Sequence, residues 1–220
     1  MVLPPIITLQ DICPGRYALQ RRPQHFSEHL STRTLQDRLM LVMRQAQLGL
    51  DYRPMVSTDP KLARLIGQLQ GVMPQSLSTP RRYLHLGMEL QAPLTVAGQG
   101  VQVQVSVNVG YRQGLPKLLD WAIRRPQITQ SDRVKLWVAT QHFQQVLGIA
   151  PGQLKLVVVA LTLKHPPQTM VIPWHPRQQH QTGAWIQQQL LRQSPTPTTV
   201  EPERRIPGVP DFDEIPEVAL

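Results

Sequence analysis

Between residues 31 and 50, STRTLQDRLMLVMRQAQLGL, apolar side chains recur at helical spacing through Leu35, Leu39, Val42, Met43 and Ala46. That pattern predicts an amphipathic helix with Ser31 or Thr34 as its cap. A second helix opens at Asp59-Pro60, a cap followed by a first-turn proline, turns Leu62, Leu65, Ile66 and Leu69 inward and ends at Gly71. After Pro80-Arg81-Arg82 the period shortens to that of a strand, and the sheet is expected to begin there. YLHLGMELQAPLTV comes first. GVQVQVSVNVGY follows, with Val101, Val103, Val105, Val107 and Val109 alternating with polar residues and a tight turn at Gly98-Gln99-Gly100 between the two. A turn over 110–114 and a short buried strand around 117–123 extend the pair as a hairpin. Ser131-Asp132 caps a helix that runs to Gly148 with Val134, Trp137, Val138, Val146 and Leu147 inward. LKLVVVALTL (154–163) reads as a buried central strand, Thr169 to Trp174 pairs beside it, and 177–192 forms a last helix despite Gly183. Ahead of all these, Ile6 to Arg22 reads as a short helical or irregular segment.

The order of helices, hairpin, helix, strands and helix predicts an α/β fold: a mixed central sheet of four or five strands flanked by helices. Residues 1–192 make one domain, and 193–220 a proline-rich acidic tail with prolines at 195, 197, 202, 207, 210 and 216. The tail reads as extended and disordered. Its spacing of Phe212, Ile215, Val218 and Leu220 among acids also suits a short docking peptide for a partner or for its own domain.

Composition narrows the class. With 220 residues, 41% of them hydrophobic and 5% aromatic, the chain can bury a core of Leu, Val and Ile. No run reaches the roughly 18 apolar residues of a membrane span, and MVLPPIITLQ lacks the basic flank of a signal peptide. A cytoplasmic protein with no membrane partner is expected. The lone cysteine, Cys13, leaves no internal disulfide and no cysteine framework for zinc, and reads as a small buried hydrophobe. Net charge is +9; from Pro195 onward two arginines face six acids, a net −4, so the body carries +13. Such a surplus favours DNA, RNA or another polyanion, although basic proteins without nucleic-acid partners are common.

The chemistry concentrates in residues 105–122, VSVNVGYRQGLPKLLDWA, where two extended segments flank a glycine turn and carry a single carboxylate, Asp120. Upstream stand Cys13-Pro14-Gly15-Arg16-Tyr17, then helices, then Glu89. This succession resembles the PD-(D/E)XK nuclease superfamily, in particular its RecB-like branch. The resemblance implies a restriction-endonuclease-like core in α-β-β-β-α-β order. It places the family's first-strand aspartate on Ser106, its turn glycine on Gly114 and its Asp-x-Lys element on Asp120-Trp121-Ala122. It also sets the family's helical Gln and Tyr on Arg133 and Trp137. Asp120 alone keeps the family's type, so Ser106, Ala122 and Trp137 are degenerate positions and the chain resembles a pseudoenzyme.

Acidic oxygens matter in such a site because Mg²⁺ demands anionic ligands in near-octahedral geometry and then lowers the pKa of a bound water. Losing one preorganised electrostatic group typically costs about 3 kcal/mol of transition-state stabilisation. No metal or other cofactor is therefore expected. If the resemblance extends to activity, Asp120 and Glu89 would hold Mg²⁺, and Lys135, reaching in from the following helix, would replace the missing lysine. The plainer readings are an exposed helical Lys135 and an Asp120 that accepts structural hydrogen bonds.

Arginines at the borders of elements, Arg21, Arg22, Arg81, Arg82, Arg112, Arg124, Arg125 and Arg133, are candidates for phosphate contact, or are simply solvated. Trp121 and Trp137 could stack on bases, but in apolar runs they read as core. Seven histidines never adopt a metal-ligand spacing, and no phosphate-binding or nucleophile-elbow motif occurs. Three functions stay open: a degenerate nuclease-like module that binds nucleic acid or acts as an adaptor, an active metal-dependent DNA nuclease, and a protein-interaction factor.

Overall fold

The computed structural model describes residues 4–13, 26–78, 83–112 and 114–193. The tail, Arg21, Arg22, Arg81 and Arg82 lie outside them. The chain is mixed α/β, a six-stranded mixed sheet with helices on both faces. Strand β1 is Ile6–Thr8 and helix α1 Leu9–Ile12; then come α2 (Phe26–Gln47), α3 (Arg53–Ser57) and α4 (Pro60–Val72). The sheet continues with β2 (Leu84–Val96), β3 (Gln99–Arg112) and β4 (Leu115–Ile123). Helix α5 (Gln130–Leu147), β5 (Lys155–Leu161), β6 (Gln168–Pro173) and α6 (Pro176–Gln193) complete it. No described helix is long and apolar enough to cross a membrane.

Local chemistry accounts for most boundaries. The Asp59 carboxylate accepts from the amides of Lys61 and Leu62 at 3.0 and 3.2 Å, with Pro60 in the first turn of α4. Gly148 ends α5 in the left-handed conformation at φ 68°. The β2–β3 turn is Ala97-Gly98, with φ of 49° and 80°, which is the backbone of a two-residue hairpin. It falls one residue earlier than expected, and Gly100 lies in β3.

Other expectations are corrected. The sheet has six strands because β1 pairs in parallel with β3, Ile6 to Thr8 against Gln102 to Gln104, and three residues are too few to show a period. Ser31 and Thr34 fall inside α2, and Gly71 inside α4, so none of them is a boundary. The cap of α5 is Thr129, one turn's reach from Asp132. Val146 and Leu147 face outward at 64% and 49% exposure.

β2 pairs antiparallel with β3 along 99–110, so β1 and β4 must share the other edge of β3. β1 takes Gln102 to Gln104 and β4 takes Asn108 to Arg112, and the register of β3 with β4 stops at Asn108 opposite Leu119. Beyond Leu119, β4 pairs only with β5, in parallel. The sheet thus forks between β3 and β4. The backbone that β3 abandons is taken up by a side chain of α2: Gln36 donates to the Trp121 carbonyl at 2.6 Å and accepts from the Ile123 amide at 3.0 Å.

Each sheet face has its own core. Val103, Val105, Val107, Val109, Leu118, Ala122, Leu156 and Val158 pack with α5 and α6. Leu119, Trp121, Val157 and Val159 pack with Leu39, Met43, Leu65 and Leu69 of α2 and α4. Buried on both sides, β5 reads as a continuous apolar run. Trp121 and Trp137, at 0% and 4% exposure, are core residues and offer no face to a base.

Candidate functional site

The fork is where the carboxylate singled out by sequence sits. Asp120 lies one residue past the last β3–β4 pair and shares its face with Leu118 and Ala122, toward α5. Lys135 of α5 donates to its Oδ2 at 3.3 Å, and Arg124 Nη2 stands 3.8 Å from the same oxygen. Arg124 is held in turn: its Nη2 meets both oxygens of Asp132 at 2.8 Å, and its Nη1 donates to the Gln127 carbonyl at 2.6 Å. Asp132 is fully buried, and its Oδ2 also accepts from the Thr129 amide and hydroxyl at 2.8 Å each. Two carboxylates and two cations therefore close a neutral network that ties the end of β4 to the start of α5.

The structure brings Asp120 and Lys135 together but separates Glu89 and Ser106 from them. Ser106 is one residue out of step with Val105 and Val107, which face α5, so it points to the other face of the sheet. Glu89 is its direct partner in β2 and shares that face, where Gln104 donates to the Glu89 carboxylate and accepts from Gln91. The β3 position opposite Asp120 belongs to Val107 by register, so the aspartate equivalence drawn to Ser106 fails on strand alternation. Ala122 does lie on the Asp120 face and is buried. Asp120 thus has two cations, Lys135 and Arg124, on one of its oxygens. Among the described residues no group of three or more His, Cys, Asp or Glu could hold a metal ion.

Of the eight arginines, Arg125 and Arg133 are described as exposed, beside the fork. Arg124, only 11% exposed, is turned into the network and is unavailable to phosphate. Arg112 belongs to β3, but its side chain is not described. The ring of Tyr111 stands edge-on to that of His85, centroids 5.5 Å apart, and burial pushes its hydroxyl above the usual tyrosine range, at the end of β3 away from the fork. Cys13 is half-buried against the α5-side core.

Two polar groups escaped the sequence reading. Asn108, 8% exposed, accepts from the Gly87 amide at 3.0 Å and donates to the Leu119 carbonyl at 3.3 Å, pinning a bulge in β2 where Gly87 takes φ 64°. The strict alternation of β3 marked Asn108 as just another outward polar residue. The anchoring of Arg124 by Asp132 was missed as well, although Thr129-x-x-Asp132 has capping-box spacing and could have signalled the buried acid.

No protein-family model matches the chain, and no curated protein does. Solved structures that are similar include SSO0001, 12% identical over 89% of this chain and 80% of that one, with a TM-score of 0.43. Another is a protein from Eubacterium rectale described as a candidate exonuclease, 10% identical over 60% of this chain, with a TM-score of 0.42. This chain covers 51% of that protein's length.

Proposed function

We propose that this chain is a catalytically silent nuclease-like module that works by binding nucleic acid, alone or as an adaptor within a larger assembly. The observation that carries the reading is the engagement of Asp120 by Lys135 and Arg124 at the fork of the sheet. An ammonium and a guanidinium on one carboxylate oxygen repel a divalent cation, and Val107 supplies no second acid. The migrated-lysine reading of Lys135 asks it to orient a nucleophile, whereas here it neutralises Asp120. Binding is supported by a net charge of +9 and by Arg125 and Arg133, both exposed and next in sequence to Arg124 and Asp132 of the network.

Labelled single- and double-stranded DNA and RNA, incubated with Mg²⁺ or Mn²⁺, test the proposal. The expected result is intact nucleic acid, bound with an affinity that falls steeply between about 50 and 200 mM salt. Loss of both Arg125 and Arg133 to alanine should weaken binding and flatten the salt slope by about two. Metal-dependent cleavage abolished by Asp120→Ala would establish the enzyme instead. Neither cleavage nor binding, with a protein partner that is lost on deletion of residues 195–220, would establish an interaction factor.

A further inference from the structure

A groove of about 410 Å³ runs between α5 and α6 on the side of the molecule away from α2, and Leu94 of β2 and Pro151 close its floor and end. Trp137, Gln141, His180 and Ala184 line its walls. It exists because α6 approaches α5 without a side chain at Gly183, where an added Cβ would stand 2.9 Å from Trp137 Nε1. Its lining combines Leu94, two prolines and the amides of Gln141, Gln179 and Gln187, so an extended segment entering it meets both apolar surface and hydrogen-bonding groups.

We infer that this groove is the docking site of the chain's own C-terminal segment, residues 207–220, with Phe212 entering against Leu94 and Ala184. Three observations on the chain select that occupant over a foreign one. The segment is PGVPDFDEIPEVAL, and Phe212 is the sole aromatic after Trp185. Charge is complementary: from Arg133 to Val200 there is no Asp or Glu and there are six Lys or Arg, whereas six acids fall between Glu201 and Glu217. Arg177 and Arg192, exposed on α6, flank the groove's helix to receive Asp211, Asp213 and Glu214. Reach is ample. The groove at Ala184 lies about 14 Å back along α6 from Gln193, and the nineteen residues from Gln193 to Phe212 can span about 60 Å when extended. A tethered segment binds at high effective concentration, so even modest contacts suffice. The inference is independent of nucleic-acid binding.

Paramagnetic broadening in the full chain tests it, with Cys13→Ser and Val209→Cys substitutions and a nitroxide on residue 209. Amides of residues 137–141 and 180–187 should lose at least about half their intensity, and the loss should persist on about tenfold dilution. Phe212→Ser, which leaves the folded core untouched, and Ala184→Glu, which adds an acid to the groove, should each restore the signals. Broadening that is absent or spread evenly over the surface would overturn the inference. So would broadening that fades with dilution, since a second copy would then be the source, or broadening that survives both substitutions.

Discussion

On the α5 face of the β3–β4 hairpin the carboxylate of Asp120 meets two cations, while on the α2 face the amide of Asn108 meets two backbone groups. Both polar residues lie at the point where the strands part. The charged one depends on a second acid, Asp132, to hold Arg124 in place, whereas the neutral one completes its bonds locally. A polar group on the α5 face is thus coupled through four residues and two elements, and one on the α2 face is not. The difference sets how each should respond to substitution.

The largest effect is expected at Asp132→Ala. It removes a fully buried acid and leaves Arg124, only 11% exposed, without its bidentate partner. Breaking a buried pair in this way typically costs about 3–5 kcal/mol, which urea unfolding would register. Next comes Asn108→Ala, which strips partners from the Gly87 amide and the Leu119 carbonyl and should cost about 2 kcal/mol. An Asn108→Ala protein as stable as the parent would mean that water replaces the amide and that the bulge needs no pin. Third, a double-mutant cycle on Asp120 and Lys135, both 16% exposed, should return a coupling of about 1 kcal/mol. The coupling should shrink when Arg124 is also replaced if the four groups act as one network. Ser106→Ala, on an exposed side chain of the other face, should change stability by no more than about 0.5 kcal/mol. A large loss there would put Ser106 in a role that the register does not give it.

Long, strongly patterned elements were legible in the sequence. The stripes of α2 and α4, the alternation of β2 and β3 and the apolar run of β5 all follow from burial on one face or two. β1 was not, because three residues carry no period, and their strand state depends on pairing with Gln102 to Gln104. For the candidate site, spacing along the chain located Asp120 and Lys135 but could not say which face of the sheet Ser106 and Glu89 occupy. A shift of one residue between strands reverses every side chain. The pairing of Asn108 with Leu119 makes that choice, and a register between two strands has no local signature in either. Arg124 looked like a surface cation beside Arg125 for a similar reason: its partner, Asp132, is brought to it by the turn into α5.

The central claim is that the cations of Lys135 and Arg124 close the fork to a divalent metal. Calorimetric titration of Mn²⁺ into the full chain and into its Asp120→Asn variant at low salt tests that claim most directly. The account predicts superimposable heats with no stoichiometric site that depends on Asp120. A one-to-one site present in the parent and lost in Asp120→Asn would contradict it.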